Sequence, residues 1–129
     1  MSRTRYPLFL VHGTGFRDDN PLFDYWGRIP KALRECGAQV YYGGQDSWAT
    51  IETNAAILKQ NLLAALHNSG AEKVNIIAHS KGGLEARYMI SRLGMASHVA
   101  SLTTISTPHH GSKSIDLFYD VPAFAYRFV

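Results

Sequence analysis

Short apolar runs alternate along this chain with longer segments of helical period, and that alternation restricts the fold more than any other feature. Leu8 to Val11 reads as a fully buried strand, Ala38 to Tyr42 as a second, Val74 to Ala78 as a third and Val99 to Ser106 as a fourth. Runs this short, bounded by glycine and polar residues, suit strands better than helices. After a loop from Gly13 to Asn20, the stretch Trp26 to Gly37 carries Pro30 where a first helical turn tolerates a missing N–H, and Gly37 where the helix should stop. From Thr50 to Asn68, Ile51, Ala55, Leu58, Leu62 and Leu66 share one stripe of a helix closed by Gly70. A third helical pattern runs from Lys81 to Leu93 and stops at Gly94. Strands alternating with helices imply βαβ units and a parallel sheet covered on both faces. The expected class is α/β, a three-layer sandwich around a mainly parallel sheet.

Composition is compatible with that reading and removes several others. With 129 residues, 46% hydrophobic and 18% charged, the chain has the length of one domain and the apolar content to pack it, so disorder is excluded. The net charge of +3 comes from 13 basic and 10 acidic residues scattered along the chain, without a Lys/Arg block to track a phosphate backbone. Nucleic acid is therefore not an expected partner. A lone cysteine, Cys36, excludes an internal disulfide and a cysteine-based zinc cluster. The apolar run Leu8 to Val11 is too short for a secretory h-region and meets His12-Gly13 with no small-residue cleavage site. No stretch approaches the ~18 apolar residues of a transmembrane helix. Cytoplasmic is the default expectation.

The chemistry centres on Ile77-Ala78-His79-Ser80-Lys81-Gly82-Gly83, between an expected buried strand and an expected helix. Such a placement fits a nucleophile elbow, a sharp strand-to-helix turn that lifts a serine hydroxyl clear of the sheet. The neighbouring backbones crowd that turn, so the positions two away on either side must be small, as Ala78 and Gly82 are. A helix opening at Lys81 also turns its positive end toward the site. The plainer reading of Ser80 is an N-cap serine. A second element, Leu10-Val11-His12-Gly13-Thr14-Gly15-Phe16, ends the first strand. Acyl transfer passes through an oxyanion held by two backbone N–H groups, one after the nucleophile and one from an earlier strand's loop. Lys81 and Thr14 match those two positions; a plain glycine turn is the alternative for the second. A dinucleotide fingerprint fails there, because Asp18 stands where the third glycine belongs.

The elbow, the His-Gly strand end, Tyr41-Tyr42-Gly43-Gly44 and the segment Val99 to Gly111 with Ser106-Thr107-Pro108-His109-His110-Gly111-Ser112 together resemble bacterial triacylglycerol lipases of the α/β-hydrolase superfamily. The resemblance covers nearly the whole chain and includes the alanine variant of the elbow. It implies a serine hydrolase acting on carboxylic, lipid esters, with Ser80 as nucleophile, the Thr14 and Lys81 backbone amides as oxyanion hole, and Ala78, His79 and Gly82 supporting the elbow. It also implies that the second strand lies outside the first and the third on its other side, with right-handed crossovers. A small ester or lipid substrate and contact with a lipid interface follow, although relatives of this kind are often secreted. No cofactor is expected.

The same resemblance exposes a departure. The superfamily's triad runs Ser, then Asp or Glu, then His. After Ser80 the acids are Glu85, Asp116 and Asp120, and no histidine follows either aspartate. Glu85, one turn past the serine, is expected to face solvent. His109 and His110 match the Thr-Pro-His loop rather than the triad histidine, His98 fits a helix-to-strand loop, His79 packs inside the elbow and His67 lies on a helix surface. Without acid and base, ~10³–10⁴ of acceleration remains from the oxyanion hole and binding. The chain alone is thus expected to be nearly inactive, either the N-terminal part of a longer lipase or a non-catalytic α/β-hydrolase-like binding module. Residues 1–113 would form the N-terminal part of the core and 114–129, crowded with Phe118, Tyr119, Phe124, Tyr126 and Phe128, the start of a cap. No metal is expected: His12, His79, His109 and His110 lack ligand spacing, and Asp18-Asp19 reads as a solvated turn.

Overall fold

A computed structural model describes residues 4–14, 25–46 and 48–113. Asp18-Asp19 and the expected cap, 114–129, lie outside the described residues. The elements follow the alternation: β1 (Leu8–Val11), α1 (Ile29–Glu35), β2 (Val40–Tyr42), α2 (Ile51–Ser69), β3 (Val74–His79), α3 (Lys81–Arg92), a 3-10 turn over Ala96–His98 and β4 (Val99–Ile105). β2 begins two residues later than the sequence predicts. Even so, the Leu8 N–H already donates to the Gln39 carbonyl at 2.8 Å, so pairing reaches almost to the expected start.

Every strand pair is parallel, and the order is β2-β1-β3-β4. This is the order implied by the resemblance, with the second strand outside the first. Right-handed crossovers then put α1 on one face of the sheet and both α2 and α3 on the other. α2 starts where the Thr50 hydroxyl accepts the Thr53 N–H at 3.2 Å, and ends at Gly70, whose left-handed φ of 70° turns the chain toward β3. Its stripe of Ala55, Leu58, Leu62 and Leu66 is buried against Phe9, Val11, Val74, Ile76 and Ala78 of the sheet and Ala86 and Met89 of α3.

The expected cover on both faces holds at β1, whose four residues are all buried, and fails at β4. There Ser101, Thr103 and Ile105 point to the face opposite α2 and α3 and are exposed. Their only helical cover among the described residues would be α1, which packs against β2 at the far side of the sheet. Among the described residues no helix is long and apolar enough to cross a membrane.

Candidate functional site

Strand order reverses direction between β1 and β3, because β1 connects outward to β2 and β3 onward to β4. In open parallel sheets, ligands bind beyond the carboxyl ends of the strands at such a switch point. Here those two ends carry His12-Gly13-Thr14 and Ser80. Ser80 has φ 56° and ψ −129°, a backbone state that costs a non-glycine residue about 1–3 kcal/mol. It stands at the N-cap of α3, yet its side chain makes no capping hydrogen bond, unlike Thr50 at the head of α2. The N-cap reading fails, and the hydroxyl is left out of the helix.

Close backbone approaches hold the turn. A Cβ added at Gly82 would lie 2.3 Å from the His12 carbonyl oxygen and 2.9 Å from that of Val11. One added at Gly13 would lie 2.9 Å from Ser80 Cβ and 3.2 Å from the His79 carbonyl oxygen. The two loops therefore touch only because both positions are glycine. Ser80 donates its N–H to the Ile105 carbonyl at 2.8 Å, and the Thr107 hydroxyl donates to the Ser80 carbonyl at 2.8 Å. The Thr-Pro-His loop thus braces the elbow from β4. A Cβ on Gly83 would meet Thr107 Oγ1 at 2.2 Å and its Cγ2 at 2.7 Å. Gly83→Ala should therefore be destabilising, and Thr107→Ala should recover part of the loss. A chemical-denaturation double-mutant cycle should return a coupling of about 1 kcal/mol.

The residues singled out in the sequence fall together here. Ala78 is buried under the turn, and Lys81, the first residue of α3, has no intrahelical acceptor for its N–H. Thr14 lies on the exposed turn after β1. His79 packs edge-on against Tyr25, with ring centroids 5.5 Å apart, and its Nδ1 contacts the Tyr25 hydroxyl. That hydroxyl also accepts the Gly13 N–H at 3.0 Å. Tyr25 is a site residue that sequence reading misses: it lies far from the elbow in the chain, and only the Tyr-Trp pair ahead of α1 hints at it.

The histidines after Ser80 lie as expected. His109 faces the Arg87 guanidinium at 3.1 Å from Nδ1 and the Thr104 hydroxyl at 3.0 Å from Nε2. Arginine can only donate, so Nδ1 accepts and Nε2–H points to Thr104. His110 is exposed, and His98 is half-buried in the 3-10 turn.

Glu85 corrects an expectation. It does not face solvent: it is 1% exposed, on the same stripe of α3 as the buried Gly82, Ala86 and Met89. The spacing i, i+3, i+4, i+7 places it there, and its charge argues misleadingly for the surface. Burial raises its pKa from 4.5 to about 7, against the opposing pull of the Lys81 ammonium and the Asn54 and Gln45 side-chain amides. In the folded chain the acid keeps its proton to higher pH than in the unfolded chain. Between pH 4.5 and about 7, folding therefore takes up a proton, and stability falls as pH rises through that window before levelling off. Denaturant titrations should show a decline of about 3 kcal/mol in wild type relative to Glu85→Gln across that range.

A family model described as palmitoyl protein thioesterase matches residues 7–126. The chain belongs to the palmitoyl protein thioesterase family. Within this family setting it is 40% identical over 126 residues to a triacylglycerol lipase of Pseudarthrobacter phenanthrenivorans, covering 92% of this chain and 38% of that one. A triacylglycerol lipase of Burkholderia plantarii is also 40% identical over 126 residues, covering 92% of this chain and 34% of the relative. The chain thus spans little more than a third of the curated relatives it matches. Among solved structures, the mature lipase BlEst2 of Bacillus licheniformis superposes with a TM-score of 0.79 at 24% identity, over 88% of this chain and 45% of that one. That likeness shows the α/β-hydrolase fold, and the sequence relatives support the resemblance to bacterial lipases and esterases.

Proposed function

We propose that this thioesterase-family chain carries the nucleophile and oxyanion hole of an acyl hydrolase for lipid esters. The observation that carries the reading is the strained, uncapped Ser80 at the switch point of the sheet. Its Oγ attacks the ester carbonyl carbon and gives its proton to a general base. The carbonyl oxygen takes up the negative charge facing the Thr14 and Lys81 N–H groups, aided by the positive end of α3. Collapse of the tetrahedral species expels the alcohol and leaves an acyl group on Ser80, which water then removes by the same steps. Thioesters would follow the same route, with a thiol leaving.

His109, engaged on both ring nitrogens, does not serve as that base. With no acid or base assigned among the residues named here, residues 1–129 alone should hydrolyse p-nitrophenyl esters negligibly. Contact with a lipid interface is part of the same proposal. The test is hydrolysis of p-nitrophenyl esters by a protein that also supplies the acid and base, compared with its Ser80→Ala variant. Turnover that survives this substitution contradicts the assignment.

A further inference from the structure

The buried polar or charged side chains among the described residues are His12, Gln45, Asn54 and Glu85, and they gather in one place. Each comes from a different part of the fold: the turn after β1, the segment after β2, α2 and α3. Gln45 donates from Nε2 to the His12 carbonyl at 2.8 Å. Asn54 accepts the Asp46 N–H at 3.1 Å and donates to the Asp46 carbonyl at 2.6 Å. Asn61 donates to the Gly43 carbonyl at 2.6 Å, and the Lys81 ammonium to the Ala49 carbonyl. Side chains of α2 and α3 thus staple the segment between β2 and α2 along its length. Within this satisfied frame, two buried acceptors, Gln45 Oε1 and Glu85 Oε2, have no hydrogen-bond partner. A buried carboxyl packed for shape alone would be out of place, since an apolar side chain would fill the same space without orphan atoms.

We propose that Glu85 is a positioning residue for the oxyanion loop: acting through the Gln45 amide, it fixes the His12 carbonyl relative to α3 and thereby sets the Thr14 N–H against Ser80. The proposal rests on the reading of Thr14 as an oxyanion donor. Gln45 has two amide hydrogens, one of which goes to His12, and its amide and that of Asn54 both lie near enough to the Glu85 carboxyl to favour the charged form. A neutral Glu85 brings a hydroxyl donor to a cluster in which Gln45 Oε1 is an orphan acceptor. The charged group facing it is Lys81, on its own helix; α2 and the segment after β2 present the uncharged Asn54 and Gln45.

The test, made in a protein that also supplies the acid and base, is the rate at which a fluorophosphonate labels Ser80, together with the NMR shift of the Thr14 amide followed from acid to alkaline pH. Glu85→Leu and Gln45→Met should label about tenfold more slowly, because a displaced oxyanion donor is largely a lost one. Their Thr14 amide should move while amides in the middle of α2 stay in place. Glu85→Gln, which keeps a planar donor of the same shape, should rescue the rate. The wild-type Thr14 shift should titrate near the Glu85 pKa of about 7, and in Glu85→Gln it should not. Unchanged labelling and an unmoved Thr14 amide in folded Glu85→Leu overturn the proposal. If that variant does not fold, Gln45→Met carries the same two outcomes. Wild type that fails to label, or Ser80→Ala that labels equally, overturns the hydrolase reading instead, and the Thr14 titration then decides the positioning role alone.

Discussion

Gly82→Ala should lose at least about 3 kcal/mol of stability, the upper end of ordinary overpacking, and should fail to fold if the native margin is small. The added methyl would stand 2.3 Å from the His12 carbonyl oxygen, 2.9 Å from the Val11 carbonyl oxygen and 2.9 Å from Val11 Cγ1. Two of these three atoms are backbone, and the backbone belongs to the end of a central strand paired on both sides. No side chain can rotate away to relieve them. Relief needs α3 to withdraw from β1, which would carry Lys81 away from Thr14 and open the site. Gly70→Ala is the contrast: nothing lies near its added methyl, so only the left-handed φ of 70° is penalised, by about 1–2 kcal/mol. Urea unfolding of the two variants separates collision from strain.

Ser80→Ala should lower kcat about a millionfold in a protein that also supplies the acid and base, since removing the nucleophile disables the triad as a unit. In residues 1–129 alone the same substitution should change little. There, hydrolysis of p-nitrophenyl esters should stay within the ~10³–10⁴ of residual acceleration that an oxyanion hole and binding supply. The contrast follows from what surrounds Ser80. Its hydroxyl is held out of the helix cap by the φ of 56°, on a half-buried residue, so geometry frees it from the helix. That freedom does not remove its proton, and at neutral pH an unassisted hydroxyl is a weak nucleophile. Turnover by residues 1–129 at the level of an intact lipase would contradict the account and direct mutation first to His109 and His110.

Much of the fold could be read from the sequence because its signals are local. The Thr50 cap, the α2 stripe and Gly70 bound one helix, and the small residues Ala78 and Gly82 mark the elbow before any contact is known. Strand order follows from the resemblance and from the handedness of crossovers. What escaped depends on contacts between distant segments. A carboxylate is seldom buried, so Glu85 reads as solvent-facing, whereas its neighbours on the helix, Gly82, Ala86 and Met89, place it inside. Gln45 and Asn54 carry no motif; their importance arises only when β1, α2 and α3 close around the segment after β2. Tyr25 likewise acquires meaning through Gly13 and His79. The exposed face of β4 among the described residues has a related reason: alternation predicts layers, but not whether each strand's two faces find cover.

Mass-spectrometric mapping after reaction with a fluorophosphonate tests the central claim, that Ser80 is a nucleophile poised on its turn, most directly. In a protein that also supplies the acid and base, the account predicts a single adduct on the peptide containing Ser80, formed by the folded state, lost on unfolding and lost in Ser80→Ala. An adduct elsewhere, or none in a folded protein that also supplies the acid and base, would contradict it and favour a non-catalytic α/β-hydrolase-like binding module.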